Sequence, residues 1–486
     1  MDTIKLDKGN ITLMLPFLLS EKWNWDFSSN GTGIWMKTDE DVPKLDFLLD
    51  HVKDFFAKNT ASVAFDDSSC LIVKLKKDSV PVKIFNNKIF WLSNKAFDTH
   101  EKTKNAVRIP VCFDPSAFRI IYHPFTGVAV LILSIELATA GKENEHSSLA
   151  DFIEMNYLVR LFNRHDEAYF LSRNDRPEER SKALQLVGEK GSVLLEKIPD
   201  EKIETAGWRP SHLINYLLSD INSESKIEFF DHHRFYPVSY AQSAQEIQDK
   251  TIIHKALFFL RKVYNFDFAP AAEVLQRDTE MFRPFRQIYY ANSLEGAAVF
   301  NNCNPSDPEF IKTFFNNSFP KSLWLTVLGV MQRSVFLQLM KEVTRIDPAN
   351  HQLVKEYLIR YTRISLKAIF SKVSVYHQHN DYYVMMINNF QINELQTELK
   401  DELYDLNNVL RQSHEDQVEK NNIIDKQADR RLSMILFVLS LFGLIEVIYK
   451  IIENREMTVG EHILAFGPPL LLGTIFWILI FQRKKH

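Results

Sequence analysis

Glycine and cysteine are scarce in this sequence, and so is any excess of charge of one sign. With 14 glycines in 486 residues, long flexible linkers are excluded, and a search for glycine-rich phosphate loops comes up empty. There is no Walker loop, no dinucleotide fingerprint and no Gly-x-Ser-x-Gly elbow. The three cysteines, Cys70, Cys112 and Cys303, are far apart and form no Cys-x-x-Cys pair. That excludes a disulfide scaffold and a zinc site, and it predicts buried thiols in a reducing compartment. A net charge of −4 excludes a chain-wide nucleic-acid surface, so no direct nucleic-acid partner is expected. The first apolar run follows Met1-Asp-Thr-Ile-Lys-Leu6 with no charged n-region and no small-residue cleavage site, so a signal peptide is not expected. Asp231-His232-His233 matches a metal motif of one phosphoesterase superfamily, but that chemistry needs further Asp and His ligands grouped upstream. None is found, so the sequence predicts no enzyme, no catalytic residue and no metal site.

What the sequence does have is two long apolar runs near its end, Leu432–Ile452 and Ile463–Phe481. A bilayer-spanning helix needs roughly 20 mostly apolar residues. The second run is uncharged; the first contains Ser433, Ser440, Gly443 and one carboxylate, Glu446. The short connection from Glu453 to His462 allows a tight hairpin and little else. The alternative, a buried helical pair in a soluble core, is opposed by the flanks. Lys426, Arg430 and Arg431 precede the first run, and Arg483, Lys484 and Lys485 follow the second, while the connection carries Glu453, Glu456 and Glu461 against Arg455. The positive-inside rule then predicts a multi-pass protein of the cell inner membrane with both chain ends cytoplasmic.

The expected fold class is α+β. Residues 1–240 read as a mixed α/β cytoplasmic sensor domain. Val42–Lys58 has helical spacing at Leu45, Leu48, Leu49, Val52 and Phe55-Phe56. Ser62–Leu75 and Val80–Leu92 read as strands, with a turn at Asn86-Asn87. Phe118–Tyr122 and Val128–Leu137 form a hairpin around His123-Pro-Phe-Thr-Gly127. Leu149–Phe162 is an amphipathic helix, Tyr169–Leu171 a short strand, and Ser211–Asp220 a helix capped by Ser211. Strand-like runs fill Ile227–Tyr240. A helical domain follows at 241–391, opening with a helix over Gln242–Asn265. Ser322–Val343 is apolar enough to pass for a third span, but Gln332, Arg333 and Gln338 inside it predict a buried helix instead. His351–Val375 is a further helix.

Residues 392–431 read as a stalk that runs without Pro or Gly into the hairpin at 432–486. Leu395, Leu399, Leu403, Leu406 and Leu410 make one apolar stripe, and beyond Leu410 the chain is polar up to Arg431. One helix from about Ile392 to Ile452 is predicted, near 90 Å long by helical rise. A lone polar helix of that length is unstable, so a homo-oligomer is expected. Two spans per chain cannot enclose a pore, whereas a ring of chains can. Asn421, Asn422, Asp425, Asp429, Ser433, Ser440, Gly443 and Glu446 recur on roughly one face and are the candidate pore-lining residues. Rings of carboxylates and amides favour hydrated cations, and an intramembrane carboxylate should face protein or water. The alternative is a solvated face on a plain anchor.

A long helix running into the first of two C-terminal spans, a short acidic outer loop, Gly467-Pro-Pro-Leu-Leu-Leu-Gly473 and the basic tail Arg483-Lys-Lys485 together resemble the CorA-type divalent-cation channel family. The resemblance covers about the last hundred residues. The family's Tyr-Gly-Met-Asn signature is replaced here by Tyr449-Lys450-Ile451-Ile452, and the cytoplasmic part is larger than the family norm. In both respects the chain is similar to a divergent subgroup, the CorA-like membrane effectors of type III CRISPR systems. That resemblance implies a pentamer and an antiviral role. It also implies activation by a nucleotide second messenger, an S-adenosylmethionine–AMP conjugate, with no other cofactor.

An adenine-bearing anion needs a stacking ring, guanidinium donors and turn backbone. Three stretches offer this mixture. Trp208 and Arg209 stand just ahead of a helix N-terminus, where phosphate is favoured. Arg283, Arg286, Tyr290, Asn292 and Glu295 form the second group, and His232 and Arg234 the third. The competing readings are a divalent-cation transporter, a membrane-tethered nucleotide-acting enzyme and a scaffold whose hairpin is only an anchor.

Overall fold

The computed structural model describes residues 1, 3–19, 33–56, 69–85, 89–93, 108–138, 147–161, 169–172, 207–208, 210–222, 227–230, 234–275, 278–303, 308–347 and 350–453, with positions 460, 467 and 471. The chain divides into two units, Met1–Ile346 with Glu356–Glu402, and Asp347–Lys355 with Leu403–His486.

The first unit is built on a mixed sheet whose spine is β1 (Leu6–Leu19) paired antiparallel with β7 (Val128–Leu137). β1 alternates as a strand must. Ile11, Leu13, Leu15 and Phe17 enter the main core, while Lys8, Asn10, Thr12 and Met14 point to the other face. On one side of the spine come β11 (Tyr236–Ser243), β14 (Ala297–Asn301), β13 (Ile288–Asn292) and β12 (Met281–Phe282). The β11–β14 pair is parallel. On the other side β7 pairs with β5 (Arg108–Phe113), which continues through β4 (Ile89–Ser93) and β8 (Tyr169–Ser172) to β9 (Gly207–Trp208). A branch from β7 runs through β6 (Arg119–His123) and β3 (Leu71–Leu75) to β2 (Trp35–Lys37), and β10 (Ile227–Phe229) pairs with the end of β1. The β6–β7 hairpin turns at Gly127, whose φ of 75° suits glycine.

Helices cover both faces. α3 (Leu149–Val159), α4 (Pro210–Asn222) and α5 (Lys250–Lys262) pack on the Ile11 face. Buried polar groups tie that layer together: Ser239 Oγ donates to Asn156 Oδ1 at 2.9 Å, and Asn156 Nδ2 donates to the Leu260 carbonyl at 2.9 Å. The opposite face is covered by α8 (Phe319–Val343), which follows α7 (Pro308–Asn317), and by α10 (His377–Asn389). The remaining helices are α1 (Asp50–Phe56), α2 (Val80–Phe85), α6 (Ala272–Leu275), α9 (His351–Ala368) and α11 (Ile392–Glu453).

Several local expectations are corrected. The helix expected over Val42–Lys58 is split into a 3-10 turn at Val42–Leu45 and α1. The cause is tertiary: Leu48 bridges Ser374, and the Leu49 amide donates to the Val373 carbonyl at 2.9 Å, so the intervening backbone is used elsewhere. The strand expected over Val80–Leu92 starts as the helix α2, since Pro81 favours a first helical turn and has no N–H for a ladder. Ser211 lies inside the first turn of α4, which starts at Pro210. The helix expected from Gln242 begins at Lys250, because Gln242 and Ser243 complete β11; Asp249 caps it, its Oδ1 accepting from the Thr251 amide at 2.8 Å. The sheet also crosses the expected boundary at residue 240, since β11 continues into pairing with β14. Cys70 is buried, but Cys112 and Cys303 are only partly so. Residues 57–68 and 86–87, which carry parts of two expected strands and their turn, lie outside the described residues.

α8 has the length and apolarity to cross a membrane, yet 78% of its apolar window is buried within the fold. Its polar side chains have partners there. Thr326 Oγ1 lies 2.8 Å from the Tyr382 hydroxyl, and Gln332 Nε2 donates to the Tyr383 hydroxyl at 2.9 Å. The Arg333 guanidinium donates to the Phe390 carbonyl.

Candidate functional site

α11 is one uninterrupted helix of 62 residues. Its early leucines are in use: Leu399 is buried in the first unit, and Leu403 and Leu410 are buried in the second, as is Val354. Leu395 and Leu406 are half-buried. After Leu410 the burial ends. The apolar window of this helix has mean hydropathy 2.3 and is 0% buried. Thirteen large apolar side chains between Leu432 and Tyr449 stand exposed. Burying each is worth about 1.5–3 kcal/mol, so this stretch favours an apolar surrounding.

The polar residues of the same helix are ordered by its pitch. Steps of three, four and, from Ser433 to Ser440, seven residues connect Asn422, Asp425, Asp429, Ser433, Ser440 and Gly443, so these share one face of α11. Asn421 and Glu446 fall on the edge of that face. A Cβ at Gly443 would meet nothing within 4 Å. Glu446 Oε1 pairs with Lys450 Nζ at 3.0 Å, four residues apart in the favourable orientation. The second apolar run, the acidic connection and the basic tail lie outside the described residues, apart from isolated positions.

Among the described residues, those proposed from sequence to hold a ligand stand on several separate strands and turns. Trp208 lies on β9, its backbone paired with Phe170; Arg209 and His232 lie outside the described residues. Arg234 is exposed and bridges Leu161 through its backbone. Strand alternation divides the second group. Arg283 is exposed and stacks on Tyr289, its guanidinium 4.6 Å from the ring centroid, and its side chain also donates to the Arg286 carbonyl. Tyr290 and Asn292 project from the opposite face of β13. Tyr290 is buried against Phe282 and Tyr382, with centroids 6.0 and 5.1 Å away, and Asn292 Oδ1 accepts from Asn389. Glu295 accepts from Ser293 Oγ at 2.6 Å and pairs with Lys262 at 3.4 Å. Arg286 is exposed.

A different place in the first unit is concave. A cavity of about 770 Å³ opens over the polar face of β1 and β7, within the size range of small-molecule sites. Its floor is Asn10, Thr12, Ser134 and Glu136. Asn10 Nδ2 donates to Ser134 Oγ at 2.9 Å and to Glu136 Oε1 at 3.1 Å, and Thr12 Oγ1 donates to Asn10 Oδ1 at 3.4 Å. Phe315 and Phe319 form one wall, and Phe47 and Tyr376 another. The second wall is braced by His379, which packs against Phe47 at 5.0 Å and Tyr376 at 5.5 Å between centroids. Burial, with Lys321 adding repulsion, pushes the His379 imidazole down to about 4, so it is neutral at physiological pH. The polar triplet of alternate residues in β1 was a sequence signal for this floor: Lys8, Asn10 and Thr12 place polar groups on one face of a strand that is apolar from Leu13 onward. What it lacked was the partner strand, which only the register of β1 with β7 supplies.

No family model matches the chain, and neither a curated protein nor a solved structure matches it.

Proposed function

We propose that this protein is a membrane-embedded effector whose copies assemble around a shared water path, and that a small ligand bound by the cytoplasmic α/β part opens it. The observation that carries the reading is α11: an unbroken helix whose exposed apolar segment needs lipid or a partner, with a stripe of Asn, Asp, Ser and Gly along one face. Lipid satisfies the apolar faces, and neighbouring copies satisfy the polar stripe, whose backbone-hugging Ser440 and Gly443 leave room for water. The pair of Glu446 with Lys450 lowers the cost of a charge near the end of the span. The second apolar run completes a hairpin in the inner membrane with both ends cytoplasmic. Pentameric assembly, a place in type III CRISPR defence and an S-adenosylmethionine–AMP activator belong to this reading through the resemblance to CorA-like effectors. No catalysis is assigned.

A divalent-cation transporter is the second reading, favoured by Asp425 and Asp429, which would form two carboxylate rings on the approach to the span. Full-length protein in ion-loaded liposomes separates the two. Efflux of potassium triggered by a nucleotide is the expected result. Magnesium flux without any nucleotide would favour the transporter, and a strictly monomeric protein in detergent rejects both.

A further inference from the structure

The geometry points to the cavity over β1 and β7 as the ligand site, and to a ligand that joins an amino-bearing aromatic heterocycle to an anionic group, the chemistry of an aminonucleotide. This deepens the sensor role proposed above and rests on it.

The floor determines the first half. Both hydrogens of the Asn10 amide are spent on Ser134 and Glu136. What the floor has left for a ligand is one donor, the Ser134 hydroxyl, and a larger number of acceptors: the remaining lone pairs of Asn10 Oδ1 and the second carboxylate oxygen of Glu136, which accepts no hydrogen bond among the described residues. Asn10, Thr12 and Ser134 are 3%, 3% and 5% exposed, so a ligand reaching them must itself supply N–H groups or leave buried acceptors without partners. An exocyclic amine supplies two N–H donors on the edge of a flat ring. The walls are aromatic: Phe47 and the exposed Tyr376 stand on one side, and on the other Phe315 and Phe319 stack on each other, with the Lys8 ammonium 3.3 Å over the Phe315 ring.

The rim determines the second half. Of the two lysines lining the cavity, Lys44 is paired with Asp41 at 2.8 Å, whereas Lys321 makes no ion pair among the described residues. Lys321 is half-buried at the start of α8, where a phosphate would neutralise it. The three lining carboxylates are Asp46, Asp114 and Glu136. Together they oppose a long polyphosphate, and so favour one anionic group over several.

The site also has a route to the membrane helix. Tyr376 and His379 belong to the start of α10, and only Phe390 and Gln391 separate the end of α10 at Asn389 from the start of α11 at Ile392. Between them Gln391 has φ of 55°, a left-handed joint that is uncommon for a residue other than glycine. A ligand that moves the first turn of α10 therefore acts on an element directly coupled to α11.

The test uses full-length protein in detergent, titrated with AMP and CMP and with their amine-for-oxo counterparts IMP and UMP. At least one amino nucleotide should bind at least tenfold more tightly than its counterpart. Glu136→Gln should abolish that preference, and Lys321→Met should abolish the advantage of AMP over adenosine while Lys321→Arg keeps it. Thermal melts check that each variant folds. As a measurement on the unmodified chain, the preferred nucleotide should protect Lys321 from amine acylation. Binding of none of these compounds, equal binding of amino and oxo forms, or unprotected Lys321 overturns the site. Nucleotide binding without any efflux from liposomes would instead reject the channel and leave the site standing.

Discussion

Gln332 and Tyr383 exchange two hydrogen bonds inside the core: the Gln332 amide donates to the tyrosine hydroxyl at 2.9 Å, and that hydroxyl donates back to Gln332 Oε1 at 3.0 Å. This pair joins α8 to α10 and marks α8 as a core helix, since a span in lipid would have no such partner. Gln332→Leu removes both bonds from the Tyr383 hydroxyl in a dry environment and leaves it only its contact with the Phe370 backbone. The expected loss is about 1–3 kcal/mol, read as a lower melting temperature, and an unchanged melt would show that the pair contributes nothing.

Gly329 lets the same two helices approach. A Cβ there would come within 2.5 Å of the Met386 methyl and 3.1 Å of the Phe390 ring. Gly329→Val should destabilise the protein by about 1–3 kcal/mol through overpacking. Gly443→Val on α11, where a Cβ meets nothing, should leave the melt unchanged.

His379 predicts a pH dependence. Its folded pKa, near 4, lies below its ordinary value of 6.5, so the unfolded chain binds the extra proton first. Stability contributed by the neutral ring is therefore complete above about pH 6.5 and is lost as pH falls toward 4. The slope is at most about 1.4 kcal/mol per pH unit, and smaller where solvent screens the ring. Denaturation midpoints of His379→Gln should be flatter across that window than those of the unmodified protein; parallel curves would remove His379 as the cause.

Burial together with the charges of Glu136 and Asp114 pushes the Cys112 thiol up to about 11, and burial alone raises Cys70 well above its ordinary value. Neither is a thiolate at neutral pH. Both should react with a thiol reagent far more slowly than a free thiol, and unfold-dependent labelling is the expected kinetics.

The stripe on α11 predicts which substitutions alter conduction. Ser440→Leu narrows the polar face and should reduce efflux at least tenfold. Phe442→Leu, on the opposite face, should not. Truncation after Arg431 should yield protein that no longer floats with liposomes, whereas continued flotation would locate membrane binding elsewhere.

The long helix was the most legible element. An unbroken run without Pro or Gly, with a leucine stripe and then an apolar stretch, placed its ends within about a residue of Ile392–Glu453. The β6–β7 hairpin was equally legible, because alternation and a Gly-bearing turn are local signals. Val42–Leu49 and Val80–Phe85 were not. A bridge to Ser374, more than three hundred residues away, decides the first, and a proline at the head of a β-branched run decides the second. The arrangement within the 283–295 stretch was not legible for a related reason. Arg283, Tyr290 and Asn292 are close in sequence, but strand alternation turns the two buried side chains away from the arginine.

Taken alone, the sequence determined that one long helix carries an apolar stretch long enough to cross a membrane, since that follows from composition along a single element and needs no partner. The polar side chains inside Ser322–Val343 already marked that helix as buried, and tertiary structure decided what buries it, because only packing supplied hydrogen-bond partners for Thr326, Gln332 and Arg333. It alone also brought Asn10 and Thr12 beside Ser134 and Glu136, since strand register joins residues more than a hundred positions apart and no local pattern encodes that distance.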